Sequence, residues 1–375
     1  MKITTLFLSI VLLATTCSCQ TNVESRIERW ADDIEKWADD FEDSMEDFAD
    51  SMERFADSME ELAENAGSDS TLVIYNQGGV VTYYKWQNKG DNSRIRISKN
   101  DRYLTRKFDI EVFKGIDVNY GFQVVMCDTV DKVVVRINEK LDKHLNVRLN
   151  KGILTVKLDK INGITFDDDA KCGYIYLPYN TKLCSISLSG TSTFYTELPL
   201  RVPSFNIDLS GATACTMKKS VVCNALDVEL SGSSQCRGIF AARSASVDMS
   251  GVTHFAGAIK ATDTELDLSG TSRLQAKINT TTLGTDLSGA SSISLSGKAT
   301  TMEISLSGTS RLDCGSLETN TVSGDMSGAS NANIGTSQTI AVDLTGRSAL
   351  TYSGSADISR SSTSTSATIN GRRKR

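Results

Sequence analysis

The sequence predicts an all-β protein: a parallel β-solenoid with coils of about 20 residues, preceded by an amphipathic acidic α-helix. Three observations predict it. A phrase of the type Leu-Ser-Gly returns nine times, ending at Gly190, Gly211, Gly232, Gly251, Gly270, Gly289, Gly308, Gly328 and Gly346, with spacings of 21, 21, 19, 19, 19, 19, 20 and 18 residues. A fixed period near twenty over more than 150 residues marks a repeat architecture, in which each unit buries its apolar face against its neighbours. Around each glycine the pattern alternates with period two, and none of the segments between glycines carries helical i, i+3, i+4, i+7 spacing.

The alternation defines columns. Two residues before the glycine stands Leu or Met in every repeat. Four before it stand Ile186, Ile207, Val228, Val247, Leu266, Ile304 and Val342, with Thr285 and Gly324 as lapses. Two after it the residue is always Ser or Thr, from Ser192 to Ser348. Four after it come Phe194, Cys215, Cys236, Phe255, Leu274, Ile293, Leu312, Ala332 and Leu350. Each repeat therefore reads as one coil of short strands with one face buried. The glycine is expected at a bend where a side chain would obstruct. Coils stacked about 4.8 Å apart make nine of them a prism of about 40 Å.

Taken in order, residues 1–18 read as a signal peptide: Lys2, an apolar run from Leu6 to Ala14 too short to span a membrane, then small residues. The end Ala14-Thr15-Thr16-Cys17-Ser18-Cys19 resembles a bacterial lipobox. That resemblance implies acylation of Cys19, with Cys17 as the alternative and plain cleavage without lipid as another. No Leu stands three residues before Cys19.

Residues 19–66 carry a heptad. Ile27, Ile34, Phe41, Phe48, Phe55 and Leu62 recur every seven residues, accompanied by Ala31, Ala38, Met45, Met52, Met59 and Ala66. Glu24–Glu64 contains 17 acidic and 4 basic residues, a net of −13 against −6 for the whole chain, so the remainder is basic. One-sided charge opposes self-pairing of such a helix. Three roles stay open: a solvated spacer, an oligomerising stalk, or a helix docked on its own basic β-domain. Asp43-Ser44-Met45, Asp50-Ser51-Met52 and Asp57-Ser58-Met59 resemble an O-glycosylation motif, but simple duplication of the heptad is the favoured explanation.

Gly67-Ser68-Asp69-Ser70 ends the heptad and opens a linker, 67–107, with a hairpin about Gln77-Gly78-Gly79 and a short strand around Ile95 and Ile97. Residues 108–185 hold longer alternating strands: Val112–Val118, Gln123–Cys127, Lys132–Ile137, Leu145–Leu149 and Ile153–Leu158, with a tight turn at Asn150-Lys151-Gly152. The solenoid is assigned to 186–360 and a polar, basic tail to 361–375.

The run Phe113-Lys114-Gly115-Ile116-Asp117-Val118 is followed by Val133-Val134-Val135, Asn138-Glu139, Leu145-Asn146-Val147, Gly152-Ile153-Leu154-Thr155-Val156 and Tyr174-Ile175-Tyr176-Leu177-Pro178. These lead into Ile186-Ser187-Leu188-Ser189-Gly190-Thr191-Ser192. The ordered set resembles the auto-transporter adhesin head domain, or head GIN domain, family over about residues 108–360, including Tyr352-Ser353-Gly354. The resemblance implies a right-handed β-helix head on an exported lipoprotein at the outer membrane, facing the cell surface or the periplasm. It supplies no catalytic residues and no cofactor.

Cys127, Cys172, Cys184, Cys215, Cys223, Cys236 and Cys314 are an odd number, so at least one thiol stays free if disulfides form. Cys215 and Cys236 share an inward column, which favours a packing role over a bridge. His144 and His254 are too far apart in sequence to suggest a metal motif, and no GxSxG, HExxH, P-loop or GxGxxG occurs. Three before each glycine stand Ser187, Asp208, Glu229, Asp248, Asp267, Asp286, Ser305, Asp325 and Asp343. In-register stacking would line up five carboxylates, Asp208, Glu229, Asp248, Asp267 and Asp286. This is either a solvated acidic edge or a ladder for cations such as Ca²⁺. Arg273 and Arg311 fall at matching positions, interrupted by His254 and Ser292.

The expected function is non-catalytic binding or adhesion at the cell envelope. Its partners would be a membrane, reached through the lipid anchor, and a surface glycan or protein; self-association through 24–66 is a further expectation. A structural envelope role, or a polysaccharide-active β-helix enzyme, are the alternatives. The repeat half is poor in the aromatic rings that sugar-cleaving grooves use, having Phe194, Tyr195, Phe205, Phe240, Phe255 and Tyr352 but no Trp after Trp86. The acidic balance speaks against nucleic acid.

Overall fold

The structure, a computed structural model, describes residues 95–159, 161, 163–167, 170–358 and 366–372. They all belong to the unit Ser70–Arg375. The predicted signal peptide, Cys17 and Cys19, the heptad segment and the hairpin near Gly78 lie outside the described residues.

The described chain is a parallel β-solenoid, and its only helical element among the described residues is a single 3₁₀ turn at Asp142–His144. Each coil contributes two strand segments, which in Arg273–Leu287 and Ser292–Leu306 run on as one strand. One ends in the Leu-Ser-Gly phrase, as in Ser204–Leu209, Ala225–Leu230, Ser244–Met249 and Asp263–Leu268. The other follows it, as in Ala214–Val222, Gln235–Ala241 and His254–Lys260. We call the two stacked ladders the front and the back. Consecutive front strands pair parallel and in register, Leu209 on Leu230, Leu230 on Met249, Met249 on Leu268. The back strands do the same, with irregularities at Thr216/Ser220 and Ser294/Ser296.

Period-two alternation makes this arrangement favourable. In Ala225–Leu230 every second residue is buried, and Leu226, Val228 and Leu230 point inward while Ala225, Asp227 and Glu229 face out. The Leu/Met column before the glycines is buried throughout, as are Phe194 through Leu350 on the back strands. Each such side chain contributes about 1.5–3 kcal/mol when removed from water. The core is one continuous cluster from Ile97 to Leu350.

The two lapses in the inward column have structural causes. The Thr285 hydroxyl, buried, donates to the Glu303 carbonyl of the next coil at 3.2 Å. At Gly324, with φ of +135°, a Cβ would lie 1.9 Å from the Ile304 carbonyl oxygen, so no side chain fits there.

The corner glycine is required for two reasons. Gly270 has φ of +69°, the left-handed region that L side chains avoid, and its Cβ would lie 2.6 Å from the Gly251 carbonyl oxygen in the coil beneath. The same contact recurs from each corner glycine to the one below it, from Gly211 on Gly190 to Gly346 on Gly328. The Ser/Thr two residues on is buried in every coil. Several of these hydroxyls tie the corner to itself: Ser291 donates to the Ser288 carbonyl at 2.8 Å, Ser330 to Ser327 at 2.8 Å and Ser348 to Thr345 at 2.8 Å.

At the N-terminal end the stacking order departs from the sequence order. Gly115–Val118 and Phe122–Cys127 form a coil without the phrase, and it sits directly beneath the first coil that carries it: Val118 pairs with Leu188, and Val124 with Phe194. Tyr120, φ +71°, takes the place of the corner glycine. Beneath this coil lie Ile153–Leu158 and Gly173–Pro178, which come later in the chain. The lower strand runs on to Leu158, two residues past Val156, the partner of Val118, instead of turning.

Antiparallel strands then close the end. Leu145–Asn150 pairs with Ile153–Leu158, and Val133–Asn138 lies between Gly173–Pro178 and Tyr103–Phe108. Tyr103–Phe108 overlaps the predicted linker, 67–107, and pairs antiparallel with Val133–Asn138. The predicted strand Val112–Val118 is shorter, Gly115–Val118, and Val112 is 52 % exposed. Covering the first parallel edge in this way removes a template for unwanted strand addition. Ion pairs fasten the cap, with Arg106 on Asp142 through two bonds of 2.9 and 2.8 Å and Lys140 on Asp101 at 2.6 Å.

Candidate functional site

The front ladder places the acidic column as the repeat spacing predicts. Asp208 pairs with Glu229, Glu229 with Asp248, Asp248 with Asp267, and Asp267 with Asp286, one strand spacing apart. The column continues through Ser305 to Asp325 and Asp343. These five carboxylates, with Ser231, Ser250, Ser269 and Ser288 of the phrase, line an open groove of about 550 Å³.

The crowding changes their protonation. Partial burial, then the charges of Asp248, Glu265 and Asp286, push the Asp267 carboxyl up to about 6. Glu229 is also raised, by burial first and then by Asp227, Asp208 and Asp248. Among the described residues, no three or more His, Cys, Asp or Glu side chains converge so as to hold a metal ion. The carboxylates form a line along the stack rather than a cage.

The front face as a whole is acidic. In the front segments from Ser204 to Gly308 stand Asp208, Asp227, Glu229, Asp248, Asp263, Glu265, Asp267, Asp286 and Glu303, with no Lys or Arg among them. The back segments of the first five of these coils, within residues 212–300, have the opposite sign. They carry Lys218, Lys219, Arg237, Arg243, Lys260, Arg273, Lys277 and Lys298, and no Asp or Glu, whereas the sixth back strand, Arg311–Glu318, sets Asp313 and Glu318 beside Arg311. His254, Arg273, Ser292 and Arg311 share one column, in the order expected from the spacing. Burial, with Arg273 and Arg237 nearby, lowers the affinity of His254 for a proton. Lys218 also reaches Glu197 of its own back ladder at 3.2 Å.

The two faces are therefore sheets of opposite charge enclosing one apolar core. The acidic half was visible in the sequence because its residues keep one fixed distance from the glycine. The basic half was missed. Its lysines and arginines occupy different columns, and the back-strand irregularities shift the alternation; the available signal was the lack of any acid in the back segments from 212 to 300.

Cys215 and Cys236 are in register on adjacent coils, both buried and both free. A thiol–thiol hydrogen bond to Cys236, together with burial, pushes the Cys215 thiol well above its usual range, which suits packing rather than reactivity. All seven described cysteines are free. No helix among the described residues is long and apolar enough to cross a membrane.

The sequence matches the family described as "Putative auto-transporter adhesin, head GIN domain" twice, over residues 112–258 and 241–356. The chain belongs to this family. The two matches run from just before the first coil to the last phrase-bearing one, so the family domain coincides with the solenoid. Among solved structures, the chain is similar to a "putative adhesin" from Parabacteroides merdae (14 % identity, TM-score 0.39, covering 74 % of this chain and 99 % of that one). It is also similar to a "putative lipid binding protein" from Parabacteroides distasonis (18 %, TM-score 0.39, 74 % and 99 %). A "putative adhesin" from Bacteroides fragilis is a third (16 %, TM-score 0.31, 74 % and 100 %). A comparison with curated proteins gave no match.

Proposed function

We propose that this head GIN domain protein is an exported, lipid-anchored adhesin. In this reading its solenoid binds a surface glycan or protein through its flat outer faces and performs no catalysis. The observation that carries the reading is that the adhesin-head family match, residues 112–356, spans a solenoid whose front strands hold outward carboxylates in one in-register column. Such faces offer a rigid, extended surface at low conformational cost, because every outward side chain is set by a strand already fixed by the core.

Export and anchoring rest on the sequence alone: a signal peptide over 1–18 and acylation at Cys19, or at Cys17. The acidic segment 24–64 then acts as a spacer between anchor and head.

An array of glycans and matrix proteins probed with the purified protein tests the binding role. Retention on one defined polymer without its turnover supports the adhesin. Degradation of that polymer would make the protein an enzyme, and silence across the array would leave it a structural component of the envelope. For the anchor, replacing Cys17 and Cys19 together by alanine is expected to release the protein from membranes, and continued retention would refute acylation there.

A further inference from the structure

We propose that the solenoid associates with further copies of itself, the acidic front face of one protomer lying on the basic back face of the next. This is independent of the ligand binding proposed above.

Charge is the first ground. Over five successive coils the front segments, within 204–289, carry eight acidic residues and no basic ones, and the back segments, within 212–300, carry eight basic residues and no acidic ones. A single copy leaves both faces turned to water, whereas a neighbour on each side complements both. The second ground is period. Both faces belong to the same coils, so anions and cations advance along the stack with a common rise of about 4.8 Å. Each of the five rungs carries at least one anion on the front and at least one cation on the back, the cations not in one column, so the match rests on the face as a whole. The third ground is area. Five rungs of six-residue strands present about 24 by 20 Å, or about 1,000 Å² in total for two partners, the size of weak, reversible interfaces.

Large exposed apolar side chains are absent from this overlap. Val112, Ile153, Phe166 and Tyr179 belong to the N-terminal cap or the chain leading out of it, and Val252 lies at a corner. The contact is thus polar, each exposed pair contributes little, and salt screens it. Because the two faces are different surfaces on opposite sides of the core, the contact is heterologous and builds rows rather than closed dimers.

Sedimentation velocity of the full chain tests this. At about 0.03 M salt the weight-average mass is expected to climb with concentration, and at about 0.5 M to return to the monomer, as the screening length shortens. A back-face variant, Lys260→Glu with Arg273→Glu and Lys277→Glu, and a front-face variant, Asp248→Lys with Asp267→Lys and Asp286→Lys, should each stay monomeric. Mixing the two should restore association, a result that misfolded variants cannot give. A monomer at low salt overturns the proposal. So does association that survives both reversals, which would place the contact elsewhere in the chain. Capture of dextran sulfate by the back face without self-association also overturns it and assigns that face to an acidic polymer.

Discussion

Replacing Gly270 by alanine perturbs one corner and leaves every apolar contact in place. Two costs add. Alanine held at φ of +69° loses about 1–2 kcal/mol relative to its preferred conformations. Its Cβ would then stand 2.6 Å from the Gly251 carbonyl oxygen and 2.9 Å from the Gly251 nitrogen, closer than real Cβ atoms come to backbone. The coils must part locally, which strains the bond of 2.8 Å from the Thr271 amide to the Gly251 carbonyl, worth about 1 kcal/mol. The smaller entropy of the unfolded alanine chain returns about 0.4–1 kcal/mol. The net expected loss is about 1–2.5 kcal/mol, placed at one interface between coils. Gly284→Ala is the matched control: it lies on the outer front face of the next coil, its nearest neighbour would be 3.9 Å from the new Cβ, and its backbone is not left-handed. That change should be neutral or stabilise by about 0.4–1 kcal/mol. Urea unfolding followed by far-ultraviolet circular dichroism compares the two. If Gly270→Ala unfolds at the same urea concentration as the parent, or above Gly284→Ala, the corner is not where the stack places it.

Three further outcomes follow from the core, the groove and the thiols. Leu287→Ala, in a buried column between Leu268 and Leu306, is expected to cost about 2–5 kcal/mol in the same assay; a cost under about 1 kcal/mol would mean the column is open to water. Asp267 keeps its proton to about pH 6 in the fold but releases it near 3.8 when unfolded, so its contribution to stability falls as pH rises through that window. Asp267→Asn should remove that dependence and melt higher than the parent above pH 6, and parallel melting curves from pH 4 to 7 would contradict the crowding. In native protein a thiol reagent should label the half-buried Cys127 and Cys184 before Cys172, Cys215, Cys236 and Cys314, which need unfolding; mass spectrometry of the labelled peptides reads the order.

Legibility in the sequence followed the strength of the local constraint. A corner that admits only glycine repeats its glycine, and strands with one buried face repeat their Leu, Met, Val and Ile at fixed offsets from it. Nine coils and the acidic column could therefore be placed from spacing alone. The additional coil at 115–127 was hidden because its corner residue is Tyr120. The strand below continues straight to Leu158 instead of turning, so a side chain is tolerated there and the phrase is not needed. The insertion of that coil between 153–178 and 185–196 was also hidden, since local pattern fixes strands but not the order in which they stack. The basic face stayed illegible for a related reason: long lysine and arginine side chains satisfy the outer surface from any outward column, so no spacing marks them.

The stack itself is tested most directly by distances between spin labels introduced through a non-thiol chemistry at the positions of the acidic column, leaving the native cysteines in place. Pulsed electron paramagnetic resonance should find separations that grow by about 4.8 Å per coil. Labels at Asp208 and Asp286, four coils apart, should lie about 19 Å from each other, and labels at Asp208 and Asp343, seven coils apart, about 34 Å. Separations that do not increase with the number of intervening coils would contradict a single stacked solenoid.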